Sequence, residues 1–195
     1  MSNRRFVICL LGMWLAGSLF LAAVASYNFR AVEQVLAAPP RPAAKTIDTL
    51  GPDSARMLLR YQVSELNRAY FEYWGLAQLA LGTAVFALLL FGTSEGKWAV
   101  ALSLVAVLIA VVQRFLLTPD LVNYGRQLDF SLNEARVAER ARLAALHGAY
   151  SGAELFKWAL MFGVLGLLIR RGERKRRSVR KIHPVDNADH PHVQG

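Results

Sequence analysis

The side chains best able to do chemistry lie at the margins of long apolar runs. Gln78 sits one turn into one run, Gln113 and Arg114 near the end of the next, and Glu154 and Lys157 at the start of the last. His147, Ser151, Glu154 and Trp158 recur at intervals of 4, 3 and 4, which puts them on one helix face. Glu72 leads into the second run at similar depth, and Asn28 and Arg30 follow the first. Polar groups at membrane depth are costly and are functional candidates by default. As a ligand site, Glu72 and Glu154 would supply oxygens to a cation or small polar molecule, and His147 would tune charge near neutral pH. The structural alternative is the stronger expectation. In it Arg114, Lys157 and Glu154 snorkel to the interface or pair between helices, and Gln78 and Gln113 complete a polar membrane cluster.

Little else nominates chemistry. No nucleophile elbow, phosphate loop, dinucleotide fingerprint or zinc-protease motif occurs, so neither an enzyme nor a cofactor is expected. His183, His190 and His192 lack the spacing of a structural metal site and read as a solvated tail, leaving no metal site expected. Cys9, the single cysteine, lies inside the first apolar run and has no intrachain disulfide partner.

The elements that position these residues are apolar helices. Runs at about 6–27, 74–92, 98–117 and 153–169 each approach the roughly 20 residues needed to cross a bilayer core. With 54% hydrophobic residues and 23 Lys+Arg, the chain segregates its charge outside these runs. Eight of the basic residues fall between Arg170 and Lys181. Of these, Arg170, Arg171, Arg174, Lys175, Arg176 and Arg177 are expected to meet anionic lipid headgroups rather than nucleic acid. With Arg4 and Arg5, the cluster predicts both termini on the cytoplasmic side of a cell (inner) membrane. The first run carries features of a signal peptide, including Ala23-Val24-Ala25. Its length and its helical continuation to Leu36 favour an uncleaved anchor.

The spans continue into amphipathic extensions at about 28–37, 54–73 and 120–150. Leu59, Val63, Leu66, Tyr70, Tyr73 and Ala77 recur at 4, 3, 4, 3 and 4, predicting one helix that runs through water into the second span. Arg56, Arg60, Glu65 and Arg68 would form its solvated side. Residues 39–51 read as a proline-broken loop, and Thr118-Pro119-Asp120 as a helix restart. A second stripe is expected in Tyr124, Leu128, Leu132, Ala135, Leu143 and Leu146, and a disordered tail in 178–195. The expected fold is an all-α, antiparallel four-helix transmembrane bundle with helices extending beyond the bilayer on the outer side. Its expected role is a non-catalytic membrane module or partner subunit, working with a membrane protein or a second copy through its external helices. The alternative is a small-solute or cation carrier or sensor using the polar outer mouth.

Two places carry a family likeness. One is the third span ending at Thr118-Pro119. The other, Leu143-Ala144-Ala145-Leu146-His147-Gly148-Ala149-Tyr150-Ser151, is similar to a Leu-His-Gly-x-Ser lead-in to a last helix. They resemble a family of small four-helix bacterial membrane proteins of unknown function, related to a eukaryotic transmembrane protein associated with cisplatin resistance. Here an extra residue separates Gly148 from Ser151, and the family's asparagine a turn later is not evident, with Glu154 in that neighbourhood. The resemblance implies a fold and a membrane location, and no activity.

Overall fold

Apolar runs of this length satisfy their backbone polar groups most simply as helix, and the described residues are almost all helical, with no strand among them. The computed structural model describes residues 2–92, 96–129 and 137–182. The elements are α1 (Ser2–Ala37), α2 (Arg41–Leu50), α3 (Pro52–Phe91), α4 (Lys97–Val112), a π-helical turn (Gln113–Leu117), α5 (Thr118–Leu128) and α6 (Val137–Ile182). Among the described residues, four helices are long and apolar enough to cross a membrane: Asn3–Ala37, Pro52–Phe91, Lys97–Leu128 and Val137–Gly172.

The 40 residues of α3 run without a break, about 60 Å at 1.5 Å per residue, as the apolar stripe requires. Elsewhere local chemistry departs from expectation. The expected loop at 39–51 contains α2. Pro42 sits in its first turn, where a missing N–H costs nothing, and Ala43 and Ala44 donate to the Pro40 carbonyl at 2.8 and 3.0 Å. Gly51, at φ 82°, then turns the chain into α3.

Nor does the chain restart at Thr118. α4, the π-turn and α5 form one 32-residue rod. Pro119 supplies no N–H and its ring displaces the carbonyl one turn back. The helix absorbs this by widening: the Thr118 N–H donates five residues back to the Gln113 carbonyl, and the Thr118 hydroxyl donates to the same oxygen at 2.7 Å. At the far end, α6 stays helical to Ile182, through residues 178–182 of the expected tail. Residues 183–195, with their histidines, and Leu132 and Ala135 of the second stripe lie outside the described residues.

The face of α3 that packs is not the apolar stripe. Its buried residues are Ala55, Asn67, Gly75, Gln78, Gly82, Val85 and Leu89, whereas Leu66 is 45% and Tyr73 74% exposed. Small residues bring helix backbones together, and large side chains of the neighbours fill the notches. A Cβ on Gly82 would stand 2.6 Å from the Trp14 ring of α1, and one on Gly75 would stand 2.5 Å from Arg114 Cδ. Trp74 of α3 occupies the matching notch at Gly17 of α1. Around these contacts Val7, Leu11, Trp14, Val85, Leu89, Ala106, Met161 and Leu168 close a core drawn from α1, α3, α4 and α6. Phe20, Leu108, Phe115, Phe156 and Phe162 point outward.

Gly82→Val should therefore overpack the α1–α3 crossing and cost about 1–3 kcal/mol. Gly12→Val, where a Cβ meets nothing within 4 Å, should be close to neutral. Thermal unfolding followed by circular dichroism in detergent checks this, and equal melting of both variants would refute the notch packing.

Candidate functional site

The widened turn at Gln113 aims one polar side chain into the bundle, where it meets others from α3 and α6. Lys157 is fully buried. Its Nζ donates to Gln78 Oε1 at 2.5 Å, Gln113 Oε1 at 2.7 Å and Glu154 Oε2 at 2.7 Å. An ammonium has three donors, and all three are used. Gln113 Nε2 donates to Glu154 Oε2 at 3.0 Å and to the Tyr150 carbonyl at 3.2 Å, while the Trp158 indole donates to Glu154 Oε1 at 3.0 Å. The three-residue spacing of Glu154 and Lys157 on α6 puts both at this depth. Lys157 thus turns inward instead of snorkelling. Arg114 passes over Gly75 and lies 5.7 Å from the Phe115 ring, outside the network.

Beyond this layer, on the side away from Asn3 and Gly92, α1, α3, α5 and α6 part around a cleft of about 490 Å³. Its lining is mostly apolar, with Ala22, Ala25, Phe29, Phe71, Leu121, Val122 and Leu143. Asn67, Arg68, Asp129, His147, Tyr150 and Ser151 add polar groups. Phe71 meets Tyr150 edge to face at 5.6 Å, at the end nearer the Lys157 layer. Asn28 donates to Asn67 at 2.8 Å, tying α1 to α3. Arg68 pairs with Glu65 at 2.6 Å and with Asp129 at 2.7 Å, and only 12% of its side chain is exposed. Arg126 completes the set on Glu65 at 3.1 Å. Its hydrogen bond, then Arg68, holds the Glu65 carboxyl below the usual range. Desolvation along the cleft wall lowers His147 from its ordinary value, although part of the side chain stays exposed. Further out, Arg60 and Arg56 of α3 reach Glu33 of α1 at 2.8 and 3.5 Å.

The residues named as one ligand set are spread over three places. Glu154 belongs to the Lys157 layer, His147 lines the cleft, and Glu72 is exposed on α3. Among the described residues no three His, Cys, Asp or Glu side chains gather where a metal ion would sit. Gln78, Gln113 and Lys157, by contrast, do meet. Sequence reasoning missed Asn67 and Asp129, and assigned Glu65 and Arg68 to a solvated face. One signal was present: Asn67 falls eight residues before Gly75 and eleven before Gln78, on the buried small-residue face. At the opposite end of the bundle Asn3 donates to the Gly92 carbonyl at 2.9 Å, and Arg4 donates to the carbonyl of Leu168. Arg170 and Arg171 are exposed there, and Arg174, Lys175, Arg176 and Arg177 continue α6. No family model matches the chain, and neither a curated protein nor a solved structure is similar to it.

Lys157→Met should destabilise by about 3 kcal/mol, because it strands the largely buried Glu154 carboxylate among neutral amides. Pairing it with Glu154→Gln should recover much of that loss. Chemical denaturation of the single and double variants in detergent measures the coupling. Strictly additive losses would mean that the ammonium and carboxylate do not depend on one another.

Proposed function

We propose that the chain is a non-catalytic, multi-pass protein of a cell (inner) membrane, and that it acts through its outward helical head. The observation that carries this reading is the cleft of about 490 Å³ above the Lys157 layer. It is a half-open recess with a few convergent polar groups, a form that recognition sites take. The distribution of side chains supports a bilayer around the lower part. Gln78, Gln113, Ser103 and Lys157 are buried, while Phe20, Leu108 and Phe162 face out. The helices run antiparallel in this reading, since Asn3 meets Gly92 whereas Asn28 meets Asn67. Both termini are cytoplasmic, with Arg4, Arg5 and the basic stretch from Arg170 at anionic headgroups. The likeness to the small four-helix bacterial family belongs to the same proposal.

Cysteines at Ser178 and Thr49, in a Cys9→Ala background, test the orientation with an impermeant maleimide on intact cells. The expected result is labelling at Thr49, and at Ser178 only after permeabilisation. The reverse pattern overturns the proposal.

A specific observation also favours the partner-subunit reading. The Leu66, Tyr70 and Tyr73 stripe is exposed, at 45%, 41% and 74%, and no other element among the described residues buries it. A neighbouring membrane helix, from a partner or a second copy, would cover it. Oxidative crosslinking of Leu66→Cys in native membranes should return adducts larger than the monomer, and recovery of monomer alone would remove this reading.

A further inference from the structure

We infer that the cleft takes a small amphiphile with an uncharged, hydrogen-bonding head and an apolar body, an inference that rests on the recognition reading above. Position supplies the first reason. The cleft begins where the apolar runs end, at Ala22, Phe71 and Ser151, and rises to the Arg68–Asp129 pair. A ligand lying along it would keep its body level with the outer leaflet and its head among the external helices.

Charge supplies the second. Arg68 and Asp129 cancel within the lining, and among the described residues Arg126 pairs with Glu65 beside them. A carboxylate or phosphate head would have to displace Asp129 from a nearly buried guanidinium, and an ammonium would have to displace Arg68. Breaking such a pair leaves an uncompensated charge. Hydroxyl and amide groups line the same walls and can serve an uncharged head without disturbing the pair. Size supplies the third, since about 490 Å³ lies within the roughly 300–1,000 Å³ of small-molecule sites.

The test uses the full chain in lipid nanodiscs and a monoacylglycerol carrying a photoreactive diazirine near the end of its acyl chain. Adducts are mapped by mass spectrometry, with unlabelled monooleoylglycerol, oleate and oleoyl lysophosphatidylglycerol as competitors. Ala25→Trp and Ser151→Trp narrow the cleft from opposite walls, and melting temperature reports whether each variant folds. Adducts should concentrate in segments 22–29 and 143–151 and fall about tenfold in a folded variant, with monooleoylglycerol competing about tenfold better than either charged lipid. If oleate or the lysolipid competes as well or better while the variants still abolish labelling, the ligand class is wrong and the cleft reading stands. If labelling falls instead on outward residues such as Phe20, Leu108 and Phe156, and neither variant changes it, both the ligand class and the recognition reading fail.

Discussion

The Lys157 ammonium is the constraint around which the bundle is arranged, because a buried cation tolerates few arrangements of its neighbours. Its three donors are met by acceptors from α3, from the π-turn after α4, and from α6 itself. An unpaired charge at this depth would cost several kcal/mol, so the register of three helices is tied to one set of distances. A Leu-lined interface would tolerate sliding by a turn, but this one would not. The π-turn belongs to the same constraint: Pro119 forces the helix to widen at the residue whose side chain completes the network.

Around this layer the packing rests on shape more than on apolar area. Glycines at 17, 75 and 82 let Trp74, Arg114 and Trp14 seat against backbone. In the proposed bilayer there is little gain in moving leucine from lipid to protein, so close approach and internal hydrogen bonds remain as the stabilising terms. That explains why the buried face of α3 carries Asn67, Gly75, Gln78 and Gly82 while Leu66, Tyr70, Tyr73 and Leu76 look outward.

The part around the cleft obeys different physics. There the helices are joined by paired charges, Glu33 with Arg56 and Arg60, and Glu65 and Asp129 with Arg68 and Arg126. Such pairs fix direction without demanding close contact, and the helices separate enough to leave the cleft. The tight layer below forms its floor through Tyr150, whose carbonyl accepts from Gln113 and whose ring meets Phe71. The cleft therefore lies between a rigid polar core and a charge-braced head.

The sequence by itself determined the helices. Apolar runs of spanning length and the 4, 3, 4 periodicity led directly to four long rods and an unbroken α3, because helix formation depends on near neighbours along the chain. Local punctuation was less legible. The prolines at 39–42 and at 119 read as breaks, yet one group opens a helix and the other only widens one, since a proline's effect depends on which backbone donor would otherwise be needed. The polarity of Gln78, Gln113, Glu154 and Lys157 was visible, but their meeting was not, and His147 and Glu72 shared a face or depth with Glu154 without sharing a site. Tertiary structure decided which face of each helix turned inward. The reason is physical: periodicity shows that a helix has two faces, but in the proposed bilayer the surroundings are as apolar as the interior, and hydrophobicity does not choose between them. That choice fell to the glycine notches and to the hydrogen bonds that a buried lysine requires.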